Sequence, residues 1–390
     1  MRRRCRFFGF ILAVSLIAGY LLFEEFPPLS QRQFMIGDPG YLYSPDLGAY
    51  RSKSANNKIL LVSYMRSGST FTSEIIRHSG HSFLVFEPFW GICRKEFVKR
   101  RSSWKAVCRD EETEVQSIQK VSEVLHNIFS CNFNQLPVEV LTSFWFFPQG
   151  TGHAILNKCY NFHMNNQNNA SKVRVSVLDT RARCVNKLEA MCKNSISILI
   201  KTIRISFDIF PKVVSKIPDI KIIHLLRDPR AIIHSRRELG YVDYRKIKNV
   251  SYELCTKMVK NINNCNHVLQ RNVFILKFEC LAAYPIIVTE SLYTYLNLEF
   301  TNETHSWLIT HTKGKAMSFR MTYTVNVADS LLVSLKWMTQ LPKNILSSID
   351  QECQEVYKHL NIPNASSLKE RLQYNITFGL PNFYSTMCNA

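Results

Sequence analysis

Hydrophobic positions from Lys58 onward follow two alternating patterns. Short continuous apolar runs are typical of strands buried on both faces of a sheet, and segments with apolar residues every three or four positions are typical of amphipathic helices. The strand-like runs are Ile59–Val62, Ile196–Ile200, Ile220–Leu226 and Val273–Phe278, and the helical stretches are Thr72–His78, Glu111–Phe129, Tyr252–Gln270, Ile286–Leu296 and Ile345–Leu360. This alternation predicts an α/β fold in which a parallel β-sheet is flanked by helices.

The first residues predict a membrane anchor. Arginines at positions 2, 3, 4 and 6 precede an apolar run of 17 residues, 7–23, and two glutamates follow it. This length is the lower limit for a membrane-spanning helix, and the positive charge before it places the N-terminus in the cytosol. We therefore expect a cytosolic tail over 1–6 and a type II transmembrane signal anchor over 7–23. A cleaved signal peptide is the alternative, although no small-x-small cleavage site follows the run.

The residues after the anchor divide into a stem and one large domain. Residues 24–57 contain prolines, glycines and polar residues without a helical or strand period, which predicts a lumenal stem. The domain then extends over 58–390, and its polar insert Asn161–Lys172 is expected to be an exposed loop.

Two features favour an oxidising, lumenal compartment for this domain. The chain has twelve cysteines, and setting aside Cys5 of the predicted cytosolic tail leaves eleven, so at least one is free or pairs with another chain. This odd number leaves a disulfide-linked homodimer open. Five N-x-Ser/Thr sequons are candidate glycosylation sites, namely Asn169, Asn249, Asn302, Asn364 and Asn375. No C-x-x-C pair occurs, so we expect no metal site.

The formal net charge of +19 favours anionic partners. A lumenal domain rarely meets nucleic acid, so we expect no nucleic-acid partner, and nucleotide cofactors and acidic glycans are left. A basic surface without a dedicated partner is the alternative that charge alone leaves open.

The segment Lys58–Phe71 carries the first candidate site. An apolar run ends in the loop Met65-Arg66-Ser67-Gly68-Ser69-Thr70-Phe71 and passes into a helical pattern. A strand, loop and helix in this order direct backbone N–H groups and a helix N-terminus at one point, which binds phosphate or sulfate. The loop lacks the lysine of a nucleotide-hydrolase P-loop, and Arg66 supplies positive charge instead. The pattern therefore predicts a phosphate-like anion rather than ATP with magnesium.

A second candidate site follows the apolar run that ends at Leu226. Arg227 leaves that strand, Pro229 begins a helix, and Ser235 lies two turns into it, so Arg227 and Ser235 are placed to converge on one phosphate. Both loops are expected at the carboxyl edge of the parallel sheet, where ligands bind. A structural alternative has Asp228 capping the helix and the other arginines of the segment solvated, namely Arg230, Arg236 and Arg237.

Together the two segments resemble the donor motifs of the sulfotransferase superfamily, and in particular those of the membrane-anchored Golgi carbohydrate 6-O-sulfotransferases. The resemblance extends over most of 58–360 and includes the segments Phe86-Glu87-Pro88-Phe89-Trp90, Lys201-x-x-Arg204 and Trp337…Cys353. It implies a P-loop-like sulfotransferase fold with 3′-phosphoadenosine 5′-phosphosulfate (PAPS) as donor. The loop Met65–Phe71 would bind the 5′-phosphosulfate, and Arg227 with Ser235 the 3′-phosphate. Lys277–Cys280 stands where the family tends to have Arg-Tyr-Glu-Asp, a departure that bears on the acceptor.

The implied reaction transfers sulfate to a sugar hydroxyl, which is a poor nucleophile near neutral pH, so a general base is expected. Glu87 is our candidate, because it follows the apolar run Phe83–Phe86 and because related enzymes carry a Glu-Pro pair there. Its apolar surroundings are expected to raise its pKa. The alternative is a glutamate paired with an arginine or bonded to backbone. His78 and His81 are reserve candidates.

Further residues are candidates for contacts with the leaving group or the sugar. Lys201 and Arg204 end a strand and are expected to stabilise the leaving phosphate or to bind an acidic glycan, with solvent-facing ion pairs as the alternative. Tyr64, Trp90 and Trp104 are candidates to stack on a sugar ring, with core packing as the alternative.

The sequence and the resemblance thus predict a PAPS-dependent carbohydrate 6-O-sulfotransferase with a lumenal catalytic domain in the Golgi membrane. Its acceptor would be GlcNAc, galactose or GalNAc in a glycan of a glycoprotein or proteoglycan. One alternative is an inactive glycan- or nucleotide-binding relative with the same fold. The other is a lumenal glycosyltransferase or kinase, which is disfavoured because the Asp-x-Asp motif and the P-loop lysine are both missing.

Overall fold

The sheet at the centre of the domain is parallel throughout. The computed structural model describes residues 56–92, 111–165, 177–268, 272–313, 329–362 and Cys388. Its strands are β1 (Asn57–Val62), β2 (Ser82–Phe86), β3 (Ser197–Thr202), β4 (Lys221–Leu226) and β5 (Val273–Lys277), in the spatial order β2-β3-β1-β4-β5. Leu60 of β1 lies opposite Ile200 on one side and Ile222 on the other. The predicted parallel sheet is confirmed, and the predicted strand ends differ from the observed ones by at most two residues.

The side chains of the central strand β1 divide the core into two layers. Leu60 and Val62 belong to a buried cluster on one face of the sheet, whereas Ile59 and Leu61 belong to a cluster on the other. Because successive residues of a strand point to opposite faces, an apolar strand needs cover on both sides. Burying each such side chain contributes about 1.5–3 kcal/mol.

Helices provide this cover. Within the described ranges they are α1 (Ser69–Arg77), α2 (Glu111–Phe129), α3 (Val138–Phe146), α4 (Thr151–Asn165), α5 (Val177–Lys193), α6 (Phe210–Lys216), α7 (Pro229–Glu238), α8 (Ile247–Val268), α9 (Phe278–Ala283), α10 (Pro285–Leu296), α11 (Asn302–Thr312), α12 (Ser330–Gln340) and α13 (Lys343–Leu360). The prediction for Glu111–Phe129 is confirmed at both ends. The other predicted helices are confirmed with shifted ends.

The predicted loop over Asn161–Lys172 is wrong in its first part, because 161–165 belong to α4. Residues 166–172 lie outside the described ranges. A disulfide bond between Cys159 and Cys184 joins α4 to α5, so a covalent tertiary contact holds this asparagine-rich helix end, which has low intrinsic propensity.

Four disulfide bonds join the described cysteines: Cys131–Cys192, Cys159–Cys184, Cys255–Cys353 and Cys280–Cys388. Among those cysteines Cys265 is the free one, and it is buried. A buried thiol does not reach a second chain, so Cys265 does not supply the intermolecular bond that the odd number left open. Cys5, Cys93 and Cys108 lie outside the described residues.

Arg230 joins the end of β4 to the C-terminal helices. Its side chain is fully buried, donates to Asp228 Oδ2 at 2.7 Å, and lies between the rings of Trp337 and Tyr357 at 4.3 and 4.6 Å from their centroids. The alternative of a solvated Arg230 is therefore wrong. A desolvated cation–π contact contributes about 2 kcal/mol, so α12 and α13 help to fix the start of α7.

In the part of the chain that the structure describes, no helix has the length and apolar character needed to cross a membrane. The predicted anchor over 7–23 and the stem up to residue 55 lie outside that part.

Candidate active site

The candidate site lies at the carboxyl edge of the sheet, where the chain leaves β1 and β4. From β1 the chain crosses to β2 on one side, and from β4 it crosses to β5 on the other, so a crevice opens between the two neighbouring strand ends. The loop 63–68 follows β1, and Arg227 follows β4. Glu87 follows β2, and Lys201 lies near the end of β3. The topology therefore brings the predicted donor, base and leaving-group residues to one edge.

The loop after β1 has a strained backbone. Arg66 has a φ of 72° and Gly68 a φ of 91°, both in the left-handed region. This region costs a residue with a side chain about 1–3 kcal/mol, whereas glycine adopts it freely. A Cβ atom at position 68 would lie 2.2 Å from the ring of Phe278. Both the backbone and the close approach therefore require glycine here.

Helix α1 begins directly after Gly68 without a side-chain cap. The first N–H groups of a helix lack intrahelical partners and, with the helix dipole, attract anions. The N–H and the hydroxyl of Ser67 both donate to the Tyr64 carbonyl, at 3.1 and 2.7 Å. Ser67 therefore shapes the loop, and an anion at this point would meet the N–H groups that follow it.

Three hydrogen bonds join the loop to Arg227 and to α7. Arg66 Nε–H donates to Ser235 Oγ at 3.0 Å, so the two predicted donor segments touch directly. Arg227 Nη1 donates to the Arg66 carbonyl at 2.9 Å. Arg236 Nε–H donates to the Met65 carbonyl at 3.1 Å. Two guanidinium groups thus bind the carbonyls on either side of the strained residue.

A buried polar chain supports the same loop from below. The Phe207 N–H donates to Asn261 Oδ1 at 3.1 Å, which turns the amide Nδ2 of Asn261 toward the Tyr64 hydroxyl at 2.9 Å. The Tyr64 hydroxyl and His224 Nε2 are hydrogen-bonded at 3.2 Å, and His224 Nδ1 and the Cys265 thiol at 3.4 Å. Burial lowers the pKa of His224 to about 3, so its ring is neutral, with one nitrogen as donor and the other as acceptor. These hydrogen bonds hold Tyr64 in place and hence the start of the loop.

Glu87 forms a buried ionic cluster with two cations. Its carboxylate accepts hydrogen bonds from Lys201 Nζ at 2.6 Å and from Arg204 Nη1. Burial alone would raise the pKa of Glu87, but the charges of Lys201 and Arg204 outweigh it and the pKa lies below its ordinary value. The predicted rise of this pKa is therefore wrong. The alternative of a solvent-facing ion pair is wrong for Lys201, because the lysine is buried.

The turn after β4 combines a helix cap with a second buried carboxyl group. Asp228 caps α7, since its Oδ1 accepts the N–H of Arg230 at 2.8 Å. Glu279, the second residue of α9, accepts the N–H of Asp228 at 3.0 Å. Burial and the charge of Asp228 raise the pKa of Glu279 to about 7, against the opposing effect of Arg227. Glu279 is not among the predicted site residues, although its position just after a strand that ends at the carboxyl edge is a signal that points to it.

Several predicted contact residues lie away from the crevice. Tyr64 is buried in the polar chain, and Trp90 is buried with its ring edge-on to Phe147, so neither stacks on a sugar. Trp104 lies outside the described residues. His78 and His81, the reserve bases, lie at the amino edge, where α1 ends and β2 begins, about 17–20 Å away by strand length.

The arrangement fits a ligand with two anionic groups. Gly68, which has no Cβ atom, and the uncapped N-terminus of α1 lie beside Arg66. Arg66 is hydrogen-bonded to both Ser235 and Arg227. Lys201, Arg204 and Arg236 add further positive charge. Among the described residues no cluster of His, Cys, Asp and Glu side chains is placed to bind a metal ion.

Comparison with known proteins shows the family. Residues 58–302 match the model of the sulfotransferase family, and the chain therefore belongs to this family. It is 22% identical over 341 residues to carbohydrate sulfotransferase 4 of Mus musculus, covering 80% of this chain and 84% of the relative. It is also 22% identical over 346 residues to carbohydrate sulfotransferase 1 of Homo sapiens, covering 81% and 82%.

Among solved structures, the chain is similar to mouse sulfotransferase SULT7A1 complexed with PAP. The TM-score is 0.38 and the sequence identity is 12%, over 80% of this chain and 88% of the other.

We expect Gly68→Ala to weaken binding of adenosine 3′,5′-bisphosphate (PAP) at least about tenfold, because the new methyl group meets Phe278 and the φ of 91° becomes strained. Gly80→Ala is the matched control, since Gly80 also has a positive φ, 86°, but has no atom within 4 Å of the added Cβ. Calorimetric titration of both variants checks this. Equal affinity of Gly68→Ala and wild type would contradict the role of the glycine.

Glu279 predicts a pH dependence of stability. Its carboxyl group binds a proton more tightly in the folded than in the unfolded chain, so its contribution is complete below about pH 4.5 and is lost as the pH rises through about 7. The loss is at most about 3 kcal/mol. We expect Glu279→Gln to flatten this part of the profile, measured as Tm against pH. An unchanged slope in the variant would show that another group titrates.

Proposed function

We propose that this protein transfers sulfate from PAPS to a sugar hydroxyl, the 6-O position of GlcNAc, galactose or GalNAc in a glycan. The observation that carries the proposal is the hydrogen bond between Arg66 and Ser235, which brings a phosphosulfate-type loop and a second phosphate-binding segment together. A donor with anionic groups at both ends of its ribose needs this two-part site. The names of the relatives, which are carbohydrate sulfotransferases, support a sugar as acceptor.

The donor supplies an activated sulfuryl group, whose bond to the 5′-phosphate breaks as the sugar oxygen bonds to sulfur. Arg66 and the N–H groups of residues 68–71 would hold the 5′-phosphosulfate, and Arg227 with Ser235 would hold the 3′-phosphate. Lys201 and Arg204 would neutralise charge on the leaving phosphate. Fixed cations of this kind do the work that magnesium does for a more highly charged phosphoryl group.

Glu87 stays our proposed general base, on the condition that its ion pairs with Lys201 and Arg204 loosen before it accepts a proton. In the structure its carboxylate is ionised and occupied by Lys201 and Arg204. A bound anion at the crevice competes for the same two cations, which frees the Glu87 carboxylate and raises its pKa toward the range useful for proton transfer. Glu87 would then accept the proton of the attacking hydroxyl.

We also propose that the enzyme is a single-pass type II protein of the Golgi membrane, with the domain 58–390 in the lumen. The arginines before the apolar run 7–23 support this orientation. Four disulfide bonds suit an oxidising compartment, and the sequon residues Asn249 and Asn302 are exposed, as glycosylation requires.

The test of the proposed reaction is transfer of labelled sulfate from PAPS to a panel of glycans by the full-length chain. We expect a labelled 6-O-sulfated product from at least one acceptor. Arg66→Ala and Arg227→Ala should each weaken PAP binding at least about tenfold, because each removes a charge-assisted contact. Wild-type PAP affinity in both variants would show that the donor site is elsewhere.

Transfer to no acceptor, with PAP binding intact, would favour the alternative of an inactive glycan- or nucleotide-binding relative. The single variants Arg237→Ala and Arg245→Ala, both outside the crevice, are the charge-matched controls. Both of these arginines are exposed, so their loss should leave PAP binding within about twofold.

Glu87→Gln tests the base. We expect turnover to fall at least about 100-fold while PAP affinity stays within about threefold, because the amide accepts no proton but leaves the donor loop intact. The assay temperature must lie below the Tm of the variant, since an unpaired buried Lys201 costs about 3–5 kcal/mol. Adding Lys201→Met should restore this stability. Full turnover in Glu87→Gln would remove Glu87 as the base.

A further inference from the structure

Arg236 is a half-buried cation of α7 whose contact with the loop 63–68 suggests more than added positive charge. Its Nε–H donates to the Met65 carbonyl at 3.1 Å, and no carboxylate of the described residues forms an ion pair with it. Loss of solvent lowers its pKa to about 10. The alternative of a solvated Arg236 is therefore wrong. The next residue, Arg237, is exposed and lies over the Tyr244 ring at 5.2 Å.

A half-buried guanidinium without a carboxylate partner loses part of its hydration, which a hydrogen bond to a carbonyl offsets. The Met65 carbonyl accepts this hydrogen bond, and the peptide that it holds leads directly into Arg66, the residue with a φ of 72°. The Arg66 carbonyl on the other side is bound by Arg227. Without the Arg236 contact the peptide between Met65 and Arg66 loses a hydrogen bond that opposes relaxation of this strained φ.

We propose that Arg236 is a positioning residue, which holds the donor loop in the conformation that binds the 5′ end of the nucleotide. This inference rests on the proposed PAPS site. The two phosphates of the ligand would then depend on different residues. Ligands with a 5′-phosphate depend on the loop and hence on Arg236, whereas a ligand with a 3′-phosphate alone depends on Arg227 and Ser235.

The experiment measures binding of three nucleotides, PAP, 5′-AMP and 3′-AMP, to the detergent-solubilised full-length chain. In Arg236→Met we expect PAP and 5′-AMP to bind about tenfold more weakly, the factor for one lost hydrogen bond of a charged group, and 3′-AMP to change less than about threefold. Arg237→Met is the matched control and should bind all three like wild type. If Arg236→Met does not fold, Arg236→Gln keeps most of the stem and should give the same pattern.

The salt dependence of the binding loss distinguishes a positioning role of Arg236 from a direct contact with the anion. A positioning effect keeps the same fold-loss between about 0.1 M and about 0.5 M KCl, whereas a direct contact with the anion loses importance as salt rises. Equal loss for 5′-AMP and 3′-AMP, a loss that disappears at high salt, or wild-type affinity in Arg236→Met would each overturn the inference. A wild-type chain that binds no PAP would overturn the proposed function and this inference together. Wild-type binding of PAP with an unaffected Arg236→Met would overturn the inference alone.

Discussion

The conformation of the chain between β1 and α1 is the constraint on which the rest of the site depends. Two residues in the left-handed region, Arg66 and Gly68, make a turn that presents a helix N-terminus to the crevice. Such a turn persists only when its surroundings determine it. Here the surroundings are hydrogen bonds from Arg227 and α7 on one side and the polar chain through Tyr64 on the other. The conformation of the loop 63–68 thus depends on elements far away in the sequence.

Charge in the crevice is organised by the same neighbours. Lys201 and Arg204 share one buried carboxylate, Glu87, so two cations stay ordered without being neutralised. Glu279 adds a carboxyl group with a pKa of about 7 beside Arg227. The electrostatic balance therefore remains positive, which suits an incoming anion, while each buried charge keeps a partner or a proton.

The strands and about half of the described helices could be predicted from the sequence, because continuous apolar runs and helical periods directly reflect burial on a two-sided sheet. The convergence of the two loops followed from the rule for parallel sheets. The pKa of Glu87 could not be predicted, since its pairing with Lys201 depends on β2 lying next to β3. Likewise, the burial of Tyr64 depends on Asn261, which is 197 residues away in the sequence. Long-range pairs of this kind leave no local pattern.

The turn Arg227-Asp228-Pro229-Arg230 combines two roles that the structure separates. Arg227 donates to the Arg66 carbonyl, whereas Asp228 caps α7 and pairs with Arg230, whose guanidinium packs on Trp337 and Tyr357. In a relative that loses activity, Asp228 and Arg230 would therefore stay under selection because the fold needs them. Arg227 would no longer be under selection. A relative that keeps Asp228 and Arg230 but has lost Arg227 and Ser235 would fold in the same way and be inactive.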